Sequence, residues 1–187
     1  ETLARFAAAF RPYGFRIEAL APVYGLAECS VGLAVSPPGR GPLIDRVQRG
    51  ALATGSALPV VPDDINALQL VACGRPLPGH EVRIVDDAGR ELPPRRVGRL
   101  EFRGPSATRG YYRNAEASAR LIRDGWLDSG DLAYLADGDI FITGRIKDMI
   151  IRGGRNLYPY ELEEAVGSVP GVRRGCVAVF GVPVAGQ

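Results

Sequence analysis

Over the first ten residues Leu3, Phe6, Ala7 and Phe10 recur at the spacing of an amphipathic helix, and Pro12 and Gly14 end the pattern. A short strand is expected over 16–20, ahead of Pro22. Further along, the period changes from 3.6 to 2. In "EVRIVDDAGREL" Val82 and Ile84 share a face and Asp86 to Gly89 supply a turn, while in "GRLEFRG" Leu100 and Phe102 alternate with Arg99, Glu101 and Arg103. "LAYLADGDIFITG" sets Asp137-Gly138 between two strand-like runs, the strongest short-range signal for a hairpin. These runs predict half-buried antiparallel strands forming a small β-barrel or sandwich over about residues 67–143.

Two stretches fit neither period. Residues 36–64, "SPPGRGPLIDRVQRGALATGSALPVVPDD", are rich in proline and glycine. A segment this long is a functional loop, an insertion, or an element the pattern hides, and all three stay open. The second stretch is "GRIKDMIIRGGRNLYPYELEEAV", residues 144–166. Here Met149-Ile150-Ile151 and Leu157 flank a two-glycine turn, and Pro159 suits the first position of a helix. Leu162, Ala165 and Val166 are its expected buried face, Gly167 its end, and "CVAVFGV" a short buried strand beyond it. A β-α-β-like piece thus begins near Lys147. The expected class is mixed α/β: residues 1–146 the end of a larger domain with its barrel subdomain, and 147–187 the beginning of a small α+β domain.

Composition narrows the partners. Of 187 residues, 46% are hydrophobic, which suits a packed core. Lys and Arg total 23 against 21 acids, a net charge of +2, so no nucleic-acid partner is expected. Cys29, Cys73 and Cys176 lie too far apart in sequence for a zinc or disulfide framework and are read as reduced thiols. No apolar run approaches the ~20 residues of a membrane span, and no leader pattern opens the chain, so a cytoplasmic protein is expected. Both ends read as cut, as in a piece of a longer protein.

Candidate chemistry is sparse when taken singly. His80 stands alone, and there is no Ser-His-Asp set, no metal cluster and no complete Gly-rich phosphate loop. Tyr24 and Glu28 in "YGLAECS", Asp131 in "WLDSGDLAYL" and Arg145 in "TGRIKD" each lie in a loop beside a strand end. Each also has a bland reading as a turn residue, a solvated acid or an ion-pair partner.

In order along the chain, "YGLAE", "GRLEFRGPSATRGYY", "GWLDSGDLAYL" and "GRIKDMIIRGGRNLYPYELEEAV" resemble successive motifs of the adenylate-forming superfamily of acyl-CoA synthetases, fatty acyl-AMP ligases, luciferases and peptide-synthetase adenylation domains. The resemblance implies ATP and Mg²⁺ as cofactors and a carboxylic acid, here a fatty acid, as substrate. It makes the phosphopantetheine thiol of CoA or an acyl-carrier protein the acceptor. It assigns Tyr24 to the adenine face, with Gly25 beside it at the nucleotide, and Glu28 to Mg²⁺, which favours one or two carboxylates plus phosphate oxygens. Asp131 would accept from the ribose hydroxyls and Arg145 would reach the nucleotide with its planar fork. Lys147 aligns with the hinge between two orientations of the small domain, where charge keeps the segment solvated in both. Gly154, in the Gly153-Gly154 turn, resembles the loop that enters the active site for thioester formation.

Two departures refine the resemblance. Ala27 stands where the commoner motif has Thr, and residues 44–74 resemble an insertion of the fatty acyl-AMP ligase branch. In that branch the insertion restrains the small domain and favours a carrier protein over CoA. The superfamily's phosphate loop and its lysine are expected outside this sequence, before Glu1 and after Gln187. The 187-residue piece alone is therefore expected to be inactive. A plain acyl-CoA synthetase and a non-catalytic module that kept the fold are the alternatives.

Overall fold

A computed structural model describes residues 2–182 except 62, 63, 65, 154 and 174. The predicted first helix, α1, spans Thr2–Phe10. The strand expected over 16–20 does not form. No neighbouring strand reaches that backbone, and it closes on itself as a 3₁₀ turn, with Ala19 N–H on the Arg16 carbonyl and Leu20 N–H on that of Ile17 (both 3.0 Å). Strands β1 (Val23–Tyr24) and β2 (Ala34–Val35) pair antiparallel. The proline- and glycine-rich stretch holds a hidden element: β3 (Ile44–Gln48) runs into a short helix, α2 (Arg49–Ala53). Strand β3 pairs in unbroken register with β4 (Ala67–Val71). Its alternation is masked because Asp45 and Arg46 turn polar side chains into ion-pair and carbonyl contacts.

Strand β5 (Arg75–Pro76) adds to β2. The expected barrel strands follow as β6 (Glu81–Val85) and β7 (Gly98–Arg103). Helix α3 (Ala115–Leu121), β8 (Ile122–Arg123), β9 (Trp126–Ala136) and β10 (Asp139–Arg145) complete them. An antiparallel sheet of order β10-β9-β7-β6, with β8 on β9, curls into a half-barrel. Asp137 (φ 51°) and Gly138 (φ 82°) make the left-handed turn that the Asp-Gly signal predicts between β9 and β10.

The β9–β10 hairpin separates two cores because successive strand residues point to opposite faces. On one face Ala133 and Ile140 join Ile84, Leu100 and Phe102. On the other, Tyr134 and Phe141 stack across the strands with ring centres 4.9 Å apart and planes 4° from parallel. This second core also takes Val47, Leu52, Ala57, Leu68 and Leu70 from the β3–β4 segment. Its polar edge is satisfied: Asp45 accepts from Tyr134 O–H (2.7 Å) and from Arg95 (2.9 Å). Asp139, 2% exposed, accepts both ends of the Arg40 fork at 2.9 and 2.7 Å.

Beyond β10 the chain makes a 3₁₀ turn at Ile146–Asp148, a hairpin of β11 (Ile150–Arg152) and β12 (Arg155–Leu157), and helix α4 (Pro159–Gly167). Pro159 opens α4 as predicted. The predicted buried face is not observed: Leu162 and Val166 are each 44% exposed and Ala165 is exposed. Helix α4 is instead held at its start, where Tyr158 is sunk in the second core and Glu161 pairs with Arg49 of α2. The strand expected in "CVAVFGV" is also absent. Residues 176–182 form no regular element and pair with no strand among the described residues, and Val179 N–H is satisfied by the Glu163 side chain at 2.9 Å. Among the described residues no helix is long and apolar enough to cross a membrane.

Removing one partner of a buried ion pair strands the other charge. Arg40→Met should therefore cost about 3 kcal/mol of stability in urea unfolding, because Arg75, 3.8 Å from Asp139, is a poor replacement. A loss below about 1 kcal/mol would show that Asp139 is not held by this fork.

Candidate active site

Two bulges on the β9–β10 hairpin set the site. Against β7, Arg99 faces Leu132 but Glu101 faces Asp128, so β9 carries surplus residues where the sequence reads Ser-Gly-Asp. Each of these residues has a task. Ser129 donates to the Leu100 carbonyl at 2.7 Å and accepts Asp131 N–H at 3.1 Å. Gly130 takes the left-handed backbone (φ 75°) and gives its N–H to Asp128. Asp131 is thereby released from pairing with β7. On β10 the register shifts at Thr143: Ile142 faces Ala133, and Gly144 faces Leu132. Continuing the first register would put Gly144 opposite Asp131, whereas the shift puts Arg145 there. The Arg145 guanidinium lies 3.6 Å from the Asp131 carboxylate, and Thr143, the extra residue, satisfies its hydroxyl on the Leu132 carbonyl at 3.2 Å.

The Tyr24–Glu28 loop closes over this pair. Tyr24 O–H donates to Asp131 at 2.5 Å. Burial first, and the Asp131 carboxylate second, push the Tyr24 phenol far above its ordinary range. A Cβ at Gly25 would lie 1.6 Å from the Val31 carbonyl oxygen, so only glycine fits beneath that returning strand of the loop. Ala27–Cys29 is a 3₁₀ turn, pinned by fully buried Cys29. The Glu28 carbonyl accepts Thr108 N–H at 2.7 Å, and its carboxylate accepts Tyr111 O–H at 2.5 Å, a bond that raises the Tyr111 phenol.

The loop and the two bulges border one open cleft of ≈ 1200 Å³. It brings together Tyr24, Gly25, Glu28, Asp131, Arg145 and Lys147. Ala27 lines it as well, a methyl group where the commoner motif would offer a hydroxyl. Gly153 is not among the lining residues, and Gly154 lies outside the described residues. The sequence reading missed Arg120 and Asp128, which share the cleft, and Tyr111, which sits in the quoted "RGYY". Among the described residues no group of three or more His, Cys, Asp and Glu side chains could hold a metal by itself. Glu28 is thus a single carboxylate with one oxygen already engaged. That donor set fits a hard cation such as Mg²⁺ only when phosphate oxygens complete it. His80 lies apart, its Nε2 2.7 Å from Ser106 Oγ.

Comparison with known proteins adds the context. A family model described as AMP-binding enzyme matches residues 1–112. The chain is 39% identical to a putative acyl-CoA synthetase of Caulobacter vibrioides, over 97% of this chain and 32% of that protein. It is 36% identical to the medium-chain fatty acid–acyl-carrier-protein ligase JamA of Moorena producens, over 100% of this chain and 34% of that protein. Among solved structures, one from a study of fatty acyl-adenylate ligases from E. coli and L. pneumophila superposes with a TM-score of 0.84 at 36% identity. It covers 90% of this chain and 30% of the other. The chain spans about a third of the length of the curated relatives it matches.

The raised Tyr24 phenol carries a pH dependence with a fixed sign. Its protonated form is the stabilising one. The contribution is whole below the ordinary phenol value of ~10 and is lost as pH rises through the native value. Asp131→Asn removes the charge but leaves the burial. Spectrophotometric alkaline titration should show one late-ionising tyrosine moving to lower pH, and an unchanged curve would rule out the Tyr24–Asp131 bond.

Proposed function

The chain belongs to the AMP-binding enzyme family, and we propose that the full-length protein activates a fatty acid as its acyl-adenylate. The substrate carboxylate attacks the α-phosphorus of ATP, a carboxylate oxygen–phosphorus bond forms, and the bond to pyrophosphate breaks. The observation that supports this best is the single cleft shared by Tyr24, Glu28, Asp131, Arg145 and Lys147, which lie far apart in sequence. Tyr24 offers a ring for the adenine, with Gly25 keeping that wall thin. Asp131 offers acceptor oxygens to the two ribose hydroxyls, taking them in exchange for the Tyr24 phenol. Arg145 steadies that carboxylate and presents its fork to the nucleotide. Glu28 would hold Mg²⁺ against the phosphates, where the ion, when bound, neutralises charge on the triphosphate. Catalysis on this reading is positioning and electrostatics, with no covalent enzyme nucleophile.

A phosphopantetheine thiol then attacks the acyl carbon, a thioester bond forms as the bond to AMP breaks and the thiol gives up its proton, and we assign the acceptor to a carrier protein. The support is the packing of Val47, Leu52, Ala57, Leu68 and Leu70 of the β3–β4 segment into the second core. That core buries Tyr158, whose O–H reaches the Leu52 carbonyl at 3.3 Å, and Arg49 pairs with Glu161. These contacts tie residues beyond Lys147 to the segment, as expected of an insertion that restrains a small domain hinged at Lys147. Residues 1–146 would then close the large domain and 147–187 open the small one, with Gly154 in the loop that meets the acceptor thiol. A cytoplasmic location fits an enzyme that draws on ATP and carrier protein. CoA as acceptor is the second reading, favoured by the name of the Caulobacter vibrioides relative.

The test is fatty-acid-dependent ATP–pyrophosphate exchange by the full-length protein, with CoA and a phosphopantetheinylated carrier protein offered in parallel. Exchange with transfer to the carrier alone is expected, and the 187-residue piece by itself should give none. Equal transfer to CoA would reassign the acceptor, and no exchange with any acid would favour a non-catalytic module. Arg49→Ala, which frees Glu161, should raise transfer to CoA several-fold while leaving exchange intact; unchanged transfer would detach the segment from acceptor choice.

A further inference from the structure

Glu28 is held at two points by one segment of chain. Thr108 N–H binds its carbonyl at 2.7 Å and Tyr111 O–H binds its carboxylate at 2.5 Å. That segment is fixed in turn. Thr108 Oγ1 donates to the Gly110 carbonyl at 3.0 Å, and Tyr111 N–H donates to Ser118 Oγ at 2.8 Å. Ser118 lies on α3, whose first turn is capped by the Asn114 side chain on Ala117 N–H at 3.0 Å. Ser106, on the same segment, accepts at its carbonyl from Ser30 Oγ at 3.2 Å. The 104–118 region is thus a bracket around the Glu28 loop, and the Tyr111 hydroxyl is its one contact with the functional carboxylate among the described residues.

We propose that Tyr111 is a positioning residue that sets the orientation of the Glu28 carboxylate, leaving its second oxygen directed to the cleft. The inference rests on the reading of Glu28 given above. The bond is worth little to overall stability, because Tyr111 is 42% exposed and water can replace a lost partner. Its value lies in orientation. A glutamate carboxylate on three rotatable bonds samples several rotamers in an open cleft, and one charge-assisted bond from a tyrosine whose backbone is anchored on α3 selects among them. Outer partners of this kind typically change metal affinity or activity by about 10- to 100-fold when removed.

The experiment uses the full-length protein with Tyr111→Phe, Glu28→Gln and the double variant. Binding of a non-hydrolysable ATP analogue is followed by calorimetry at increasing Mg²⁺, beside ATP–pyrophosphate exchange and thermal unfolding. Tyr111→Phe should raise the Mg²⁺ needed for analogue binding about tenfold and raise KM for MgATP more than it lowers kcat. Metal-free nucleotide binding and the unfolding midpoint should stay as in the parent. In the Glu28→Gln background the same change should add nothing, since the group it positions is gone. Wild-type behaviour of Tyr111→Phe, or an equal loss in both backgrounds, overturns the role of Tyr111 and leaves the proposed function standing. A parent protein that neither binds the analogue nor exchanges pyrophosphate overturns the proposed function and this role with it.

Discussion

The two cores and the cleft depend on the register of one hairpin. Ala136 faces Asp139 and Tyr134 faces Phe141, and the count is then broken once, at Thr143, so that Arg145 reaches Asp131. Because side chains alternate with a period of two, a slip of one residue between the strands would put Tyr134 and Phe141 in opposite cores and separate the cleft's ion pair at the same stroke. The register is therefore over-determined. The left-handed Asp137-Gly138 turn fixes one end, the Tyr134–Phe141 stack the middle, and the Arg40–Asp139 fork the first pair of the returning strand.

This arrangement couples the two faces of the hairpin. The face bearing Tyr134 and Phe141 receives the β3–β4 segment and Tyr158. The Tyr158 ring lies against Gly144, close enough that a Cβ there would touch it at 3.5 Å. Gly144 is the residue between the Thr143 bulge and Arg145. Burial also pushes the Tyr158 phenol up to about 12. Whatever displaces Tyr158 acts next to the bulge that aims Arg145. On the proposed reading, the packing that restrains the small domain and the geometry that meets the nucleotide share one backbone segment.

Much of the fold was legible because it is local. The Asp-Gly hairpin, the alternation of Leu100 and Phe102, α1 and the proline start of α4 are decided within a few residues of themselves. Failures came where a partner decides the outcome. Residues 16–20 and 176–182 have strand-like composition but pair with no strand among the described residues, and β-structure is a property of pairs. Strand β3 was hidden for the converse reason: Asp45 and Arg46 look like loop residues until Arg95, Tyr134 and the Asp64 carbonyl are set opposite them. The same rule holds in the cleft. Resemblance pointed to Tyr24, Glu28, Asp131 and Arg145, but the bonds joining Tyr24 to Asp131 and Tyr111 to Glu28 span long stretches of sequence and leave no trace in spacing.

The polarity between the apolar runs of residues 144–166 follows from these contacts. Arg145 is spent on Asp131, while Lys147 and Asp148 are exposed and make no ion pair among the described residues. A charge left unpaired in water costs nothing, whereas a charge packed into either flanking core would need a partner in every arrangement that core adopts. Apolar residues begin again at Met149 and Ile150, where packing resumes: Met149 joins the second core, and Ile150 meets Gly181. A solvated interval between a hairpin fixed by two cores and a helix held chiefly at its start, by Tyr158 and the Glu161–Arg49 pair, is the place where relative motion would disturb few buried contacts. On the proposed reading, that is the physical requirement for a hinge at Lys147, and it is met by exposure instead of by glycine.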